Sequence, residues 1–271
     1  MISDRAIKLL TISDLHQVKA LFGQLADAIV LHQPDVVVCV GDVLDALEYS
    51  AERQFTTAEC ATLLARLPVK HLVFVRGNHE DANWTEFVAA WPHDHGPLHA
   101  LYGSAYNVGP LVIVGFPCFV GSEFSWCAHL ESRNGEMKLS PVKPSEELST
   151  ETHLWLPRLM RQLGPAGRTL WVMHEPPMGP PLGNAETCNQ VWTTALERFA
   201  PRLVVCGHDH ISPIANSVWH KRLGASLCVN VGQSEKHLHY AVVEFEFSSA
   251  SPSLPAVIRI QAFPQGGAIT V

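Results

Sequence analysis

The sequence predicts an α/β protein, a four-layer α/β/β/α sandwich in which helices flank two mixed sheets. Short apolar runs rich in β-branched residues alternate with helix-period segments over the first part of the chain. Strand-like runs with few helices between them follow, so we expect the C-terminal segment to complete the second sheet. At 271 residues, the chain is expected to form a single domain, 1–271, with a long loop or cap insertion at about 117–150.

The strand predictions rest on short apolar runs bounded by turn residues. The first helix is predicted from Val18, Leu21, Phe22, Leu25 and Ile29, which recur at helical spacing. Two further helices are predicted over residues 57–67 and 84–91. The predicted strands span residues 9–12, 36–40, 71–75, 111–116, 170–173, 203–206, 227–231, 240–247 and 256–263.

Acidic, amide and imidazole side chains come directly after five of these strands. Because ligands of α/β sheets bind at the carboxyl ends of strands, we expect these side chains to converge. Their oxygen and nitrogen donors suit Mn, Fe or Zn better than a thiolate-seeking ion or Ca²⁺. One ion does not use all of them, so the set predicts two ions that share Asp42. The candidate metal ligands are Asp14, His16, Asp42, Asn78, His174, His208 and His210.

Each cluster on its own also has an ordinary structural interpretation. Asp14 and His16 could form a surface turn, Asp42 could be a turn or N-cap residue, and His174 could be a hydrogen-bonded core histidine. The joint occurrence of five clusters, each at a predicted strand end, favours a metal centre over these separate interpretations.

The order of the clusters resembles the motif pattern of the calcineurin-like metallophosphoesterases, and the resemblance runs from residue 14 to residue 210. It implies that His79 is catalytic and not a ligand, protonating the leaving oxygen or stabilising charge there, with Asp45 orienting it. It implies one ion held by Asp14, His16, Asp42 and His210, and a second held by Asp42, Asn78, His174 and His208. The motifs are Asp14-Leu15-His16, Gly41-Asp42 with Asp45, Gly77-Asn78-His79-Glu80, His174 and Gly207-His208-Asp209-His210.

The resemblance implies a binuclear metal-dependent phosphoric ester hydrolase. Its cofactors would be two divalent or trivalent ions, with Mn and Fe favoured over Zn, and its reaction the hydrolysis of phosphate mono- or diesters by a metal-bridging hydroxide. A cyclic-nucleotide or nucleic-acid phosphodiesterase is an alternative, since no residue separates the ester classes. A non-catalytic interaction module on the same fold is a further alternative, disfavoured because every motif position is filled.

Two positions bear on the substrate. Ala46 stands where the protein Ser/Thr phosphatase branch carries an arginine after the second aspartate, so that branch is disfavoured. Arg76 could grip phosphate or serve as a packing residue. In the predicted insertion, Phe119, Phe124 and Trp126 could line a substrate pocket or form a small apolar cluster beneath the loop.

The composition of the chain indicates which classes of partner to expect. The net charge is −7 without a basic stripe, so nucleic acid is an unlikely partner, and the resemblance implies a small phosphorylated substrate. No apolar stretch is long enough for a membrane helix, the start of the sequence lacks a signal-peptide pattern, and the seven cysteines form no CxxC pair. We therefore expect a cytoplasmic protein without a membrane partner. The oligomeric state stays open.

Overall fold

A computed structural model describes residues 6–45, 55–80, 83–92, 94, 98–116, 118, 168–248 and 251–271, with the backbone of 128–133 and 136–141 and parts of 156–163. The helices are α1 (Lys19–His32), α2 (Thr57–Ala65), α3 (Trp84–Ala90), α4 (Gln190–Phe199) and α5 (Ser212–Asn216). The strands are β1 (Ile7–Ile12), β2 (Val36–Cys39), β3 (His71–Val75), β4 (His99–Leu101), β5 (Ser104–Val108), β6 (Leu111–Gly115), β7 (Ala128–Arg133), β8 (Glu136–Pro141), β9 (Thr169–Val172), β10 (Leu203–Val205), β11 (His220–Leu223), β12 (Ser226–Val229), β13 (Tyr240–Ser248), β14 (Ser251–Phe263) and β15 (Ala268–Thr270).

Two sheets make up the body of the protein, and both are mixed. The first has the strand order β15-β14-β13-β1-β2-β3-β4, with β1 to β4 parallel and β13 antiparallel to β1. The second has the order β11-β12-β10-β9-β6-β5, with parallel central strands and antiparallel edges. This arrangement confirms the predicted fold class.

The layers follow from strand alternation, since successive side chains of a strand point to opposite faces. Between the sheets, residues such as Leu9 of β1 and Leu170 of β9 form a shared inner core. On the outer face of the first sheet, Leu10 packs against the apolar side of α1. On the outer face of the second, Trp171 of β9 packs with Trp192 of α4. The result is helix, sheet, sheet, helix.

One detail of the predicted topology was wrong. The long strands β13 and β14 were expected in the second sheet, but β13 pairs with β1 and so belongs to the first. Their alternation specifies a half-buried strand but does not identify its partner.

Part of the segment 117–150, predicted as a long loop or cap insertion, has regular structure. Strands β7 and β8 pair antiparallel within it, from Ala128 opposite Pro141 to Arg133 opposite Glu136. Phe119, Phe124 and Trp126 lie outside the described residues. Among the helices of the described residues, none is long and apolar enough to span a membrane.

Candidate metal centre

The predicted ligands lie on loops at the carboxyl ends of strands from both sheets. Strands β1, β2 and β3 of the first sheet lead into Asp14, Asp42 and Asn78, and β9 and β10 of the second lead into His174 and His208. The strand-end argument therefore holds, but across two sheets. The centre lies where the ends of the two sheets meet.

Left-handed backbone at the strand ends turns the ligands toward this point. Asp14, His16, Asp42 and His208 have φ of 57°, 44°, 50° and 65°. Such values are uncommon for residues other than glycine and cluster at functional sites. Hydrogen bonds from Asp14 N to Gly41 O (2.9 Å) and from His16 N to Asp42 O (3.0 Å) join the first two loops.

Glycines in the motifs let these loops pack against one another. A Cβ at Gly41 would lie 2.5 Å from His174 Nδ1, and one at Gly207 would lie 2.7 Å from Asp14 Oδ2. Both distances are far below van der Waals contact. Any larger residue at these positions would push a candidate ligand out of place.

Two groups of donors form around neighbouring points. Asp14, His16 and His210 make up the first, in which His210 Nε2 lies 3.2 Å from both His16 Nε2 and Asp14 Oδ1. The donor atoms of a group lie within 4.8 Å of one another, close enough for one ion. The geometry brings together all three side chains predicted from their motifs.

The second group consists of Asp42, His174 and His208. His174 Nε2 lies 3.1 Å from Asp42 Oδ2 and 3.1 Å from Asn78 Oδ1, so the amide faces the same point. Asp42 also belongs to a third overlapping group with His16 and His79. His16 belongs to the first and third groups and Asp42 to the second and third, so these two side chains together connect the donors of the two points.

His174 is oriented by the backbone. Its Nδ1 lies 2.8 Å from the carbonyl oxygen of Val40, which accepts and so fixes the proton on Nδ1. Nε2 then faces Asp42. Burial lowers the pKa of His174, but the charge of Asp42 outweighs this and raises it to about 10, so Nε2 carries a proton until an ion replaces it. A backbone acceptor on the far ring nitrogen is the usual arrangement behind a metal-binding histidine.

The electrostatics of the donors suit a cation. Burial lowers the pKa of His16 and of His208 to about 4, so both imidazoles present lone pairs at neutral pH. Burial opposes ionisation of Asp14, but His210 and His174 lower its pKa to about 2. Burial likewise opposes ionisation of Asp42, yet His174 and His16 hold its pKa well below the usual range.

These carboxylates are buried without a permanent cation. Asp14 is 2 % exposed and Asp42 is 1 % exposed. Within the part of the chain that the structure describes, their ion-pair partners are all histidines. Because a buried charge is costly unless it is paired, two such carboxylates fit metal ions well.

His79 occupies a different environment from the donors. Its Nδ1 lies 3.3 Å from Asp45 Oδ1, and its backbone N donates to Asp42 Oδ1 at 2.8 Å. Burial lowers its pKa, but the hydrogen bond to Asp45 and the charge of Asp42 outweigh this and raise it. The structure thus brings His79 beside Asp45, its predicted partner, and beside Asp42.

Sequence reasoning missed Glu80, which holds the two central loops together. It is fully buried, and its carboxylate accepts from the backbone N of Asp42 (2.9 Å), Val43 (2.6 Å), Leu44 (3.0 Å) and Gly77 (2.6 Å). Burial and the charge of Asp42 raise its pKa to about 7, and the donors of the backbone oppose this rise. The acidic residue of the Gly-Asn-His-Glu motif could be read from sequence, but its partners could not.

Asp209 was also unassigned, although it separates His208 from His210. It accepts from Thr187 Oγ1 (2.8 Å), Asn184 Nδ2 (3.0 Å) and Ser212 N (2.7 Å). These bonds tie the loop that carries both histidines to the 184–187 loop and to α5. Asp209 therefore positions its neighbours.

Arg76 is explained by packing. Its guanidinium carbon lies 5.3 Å from the ring centroid of Trp84 and 5.1 Å from that of Tyr102, with only 7 % of the residue exposed. Cation–π stacking of this kind favours the packing interpretation. Ala46 lies outside the described residues.

A cavity of about 430 Å³ adjoins the first donor group. It extends from Asp14, His16 and His210 to the loop of residues 233–237. An open space beside the donors gives room for a substrate to reach them.

Comparison with known families agrees with this geometry. The family model of calcineurin-like phosphoesterases matches residues 7–212, which include all the candidate ligands and His79. The protein belongs to the calcineurin-like phosphoesterase family. A search of curated protein sequences returns no significant match.

Solved structures share the fold at low sequence identity. A dimetal phosphatase from Danio rerio superposes with a TM-score of 0.59 at 13 % identity, over 97 % of this chain and 98 % of that one. The protein TT1561 of Thermus thermophilus also superposes with a TM-score of 0.59, at 15 % identity, over 88 % of this chain and 94 % of that one.

Proposed function

We propose that the protein is a binuclear metal-dependent phosphoric ester hydrolase. The observation that carries the proposal is the sharing of Asp42 between donor groups that also contain His16 and His174. One ion would bind Asp14, His16, Asp42 and His210, and the other would bind Asp42, Asn78, His174 and His208. Family membership and the dimetal phosphatase of the same fold support this assignment.

The donors present fit such ions chemically. Carboxylate, amide and imidazole donors of this kind suit Mn, Fe or Zn, with Mn and Fe favoured. When bound, paired ions act as Lewis acids on a phosphoryl oxygen and lower the pKa of a water molecule. The protein supplies buried, oriented ligands: His16 and His208 are already neutral at neutral pH, whereas His174 and His210, whose pKa values nearby carboxylates raise against the effect of burial, would release a proton when an ion binds.

His79 would act on the leaving group. Its raised pKa favours the imidazolium form, and Asp45 on Nδ1 leaves Nε2 to donate a proton to the departing oxygen. Asp42 accepts from the backbone N of His79, so the ring is held beside the candidate ligands. No covalent phosphoenzyme is required in this scheme.

Small phosphate mono- or diesters are the proposed substrates. The cavity beside His16 and His210 has a volume of about 430 Å³, within the range of pockets for small molecules. The non-catalytic alternative has less support, because the described site retains every donor of the motif set together with His79. We further propose that the protein works in the cytoplasm.

The proposal is tested by hydrolysis of p-nitrophenyl phosphate and bis-p-nitrophenyl phosphate, side by side, with added Mn²⁺. We expect turnover of at least one ester and none in Asp42→Asn, which removes the shared donor. Absence of turnover in wild-type protein shown to hold both ions would contradict hydrolysis of these ester classes. Equal turnover by Asp42→Asn would point to a contaminating phosphatase.

A further inference from the structure

The cavity beside the donors has one wall built from a loop that the family motifs do not include. This wall is the 233–237 loop, which follows β12 and precedes β13. It faces Asp14, His16 and His210 across the open space. A phosphoester whose phosphoryl group lies at the donors would extend its leaving group toward this loop.

Hydrogen bonds hold the loop in a fixed position. Gln24 of α1 donates from Nε2 to Lys236 O (3.0 Å) and accepts at Oε1 from Leu238 N (2.8 Å). Gln233 donates to Ser13 O at 3.0 Å, and Ser13 directly precedes Asp14. The loop is therefore tied both to α1 and to the strand end that carries a candidate ligand.

Hydrogen bonds within the protein occupy the side chains of Gln233 and Ser234 at the base of the loop. The amide of Gln233 also accepts from Ser234 N and His239 N, and Ser234 Oγ bonds to both backbone groups of His237. Three polar side chains remain for a ligand, namely those of Glu235, Lys236 and His237. All three are exposed, and within the described residues none has a side-chain hydrogen bond or ion pair.

Apolar residues also line the cavity. Val18 and Leu21 line it from the start of α1, and Ile211 lines it directly after His210. Ile211 is 73 % exposed, an unusual degree for isoleucine at the edge of a polar site. A leaving group with an apolar body would cover this surface and gain by its burial.

Two of the three exposed polar side chains on the loop, those of Lys236 and His237, carry nitrogen donors, and one, that of Glu235, carries a carboxylate. The lysine ammonium on its long stem is a point charge suited to an anionic partner. A leaving group that carries a carboxylate or a second phosphate would meet it there.

Resting on the proposed phosphoesterase function, we infer that the 233–237 loop selects the leaving group. The substrate class is a small phosphoester whose leaving group combines an apolar body with a second anionic group. Lys236 binds that anionic group, and Ile211 contacts the apolar body.

The test compares phenyl phosphate with 4-carboxyphenyl phosphate, or their methyl esters if the wild-type protein hydrolyses diesters. In wild-type protein we expect kcat/KM to favour the carboxylated ester by about fivefold, the value of an exposed ion pair of about 1 kcal/mol. Lys236→Met should abolish this preference while leaving turnover of the uncharged aryl ester intact. Lys70→Met is the matched control, because Lys70 is exposed at the opposite end of β3 from the site.

Binding of non-hydrolysable analogues separates this inference from the proposed function. The Mn²⁺-loaded protein should bind 4-carboxyphenylphosphonate about fivefold more tightly than phenylphosphonate, and Lys236→Met should remove this difference. If neither ester turns over but this difference in binding is present, the hydrolase proposal fails, and only the recognition of the anionic group by Lys236 stands. Binding of neither phosphonate overturns both.

Other outcomes overturn the inference alone. Hydrolysis of both esters with equal kcat/KM in wild-type protein would do so, as would an equal loss for both in Lys236→Met. A preference that rises in Glu235→Gln but does not fall in Lys236→Met would show that repulsion by Glu235, and not attraction by Lys236, determines how the loop responds to charge. For the apolar wall, Ile211→Ala should weaken both aryl phosphonates relative to methylphosphonate, and an unchanged ratio would exclude that contact.

Discussion

Histidines a few ångströms apart in the candidate centre differ in protonation when no ion is bound. Against the effect of burial, nearby carboxylates raise the pKa of the proposed ligands His174 and His210 as well as that of His79, so the hydrogen bond to Asp45, and not charge alone, distinguishes His79. Burial lowers the pKa of His16 and His208 to about 4, whereas Asp45 and Asp42 raise that of His79 against burial. An imidazole must be neutral to bind a metal ion, so His174 and His210 would release a proton to the ion, whereas cationic His79 would donate its proton to a leaving oxygen. Yet the ring centroids of His16 and His79 are only 4.6 Å apart.

Replacing His79 tests this difference in role. His79→Ala should keep its metal ions but lose turnover by about 10²- to 10⁴-fold, the usual contribution of a general acid. Metal content and kcat are measured on the same preparation. His220→Ala, on the edge strand β11, is the control and should change neither. Loss of metal from His79→Ala would mean that His79 is itself a ligand.

Motif residues such as Asp14 and His174 could be predicted because each follows a recognisable strand. The supporting residues could not. Glu80 bonds to backbone groups 36 to 38 positions away, and Asn230 donates to the carbonyls of Gly207 and Asp209. Such partners depend on how loops meet in the fold, and backbone groups carry no sequence signal.

At the scale of elements, the loop after β2 and the loop after β3 are joined by one carboxylate. Four backbone N–H groups converge on Glu80, and no other side chain of the described residues accepts from them. The candidate ligands Asp42 and Asn78 lie on these two loops. Their relative position therefore depends on Glu80.

Glu80→Gln should destabilise the protein by about 3 kcal/mol, because an amide nitrogen would face buried N–H donors that then lack an acceptor. Urea unfolding of the metal-free protein measures this change. Glu86→Gln, exposed on α3, is the matched control. A loss below about 0.5 kcal/mol, the ordinary value for a surface substitution, would refute the structural role of Glu80.

A second element-scale feature joins the edges of the two sheets. Tyr106 of β5 places its hydroxyl 2.8 Å from His71 Nδ1 of β3, and its ring packs 4.1 Å from that of His99 in β4. Burial, with help from Lys70, lowers the pKa of His71. The folded state thus favours neutral His71 more than the unfolded chain does.

This shift has a definite sign for stability. A histidine with a lowered pKa in the folded state contributes stability above its unfolded pKa of about 6.5, and the contribution is lost as the pH falls through its folded pKa. The excess in Tm of wild-type protein over His71→Asn should therefore shrink between about pH 7.5 and about pH 5.5. Thermal unfolding at a series of pH values in EDTA measures it. An excess that grows on acidification would contradict a lowered pKa.

Strand positions were predictable to within a few residues, but strand partners were not. Residues 71–75 were predicted with the observed bounds of β3, because an apolar run between turns defines a buried strand. The pairing of β13 with β1 joins residues more than 200 positions apart, for example Ile7 with Phe245. Alternation alone does not encode that choice.

At the scale of the molecule, the candidate centre exists because two sheets pack face to face. The shared inner core, with Leu9 and Leu170 on opposite sides, sets the distance between the strand ends that carry Asp14 and His174. The sandwich could be predicted from the order of strands and helices. The shared role of Asp42 was also predicted, but the three-dimensional structure was required to show that the candidate ligands come from both sheets.

The central claim is that two metal ions share Asp42. The direct measurement is the metal content per chain by mass spectrometry after loading with Mn²⁺ and removal of free ions, for wild-type protein and Asp42→Asn. We predict two ions in the wild-type protein and at most one in the variant, because Asp42 contributes to both proposed sites. A single ion in the wild-type protein, or two retained by Asp42→Asn, would contradict the claim.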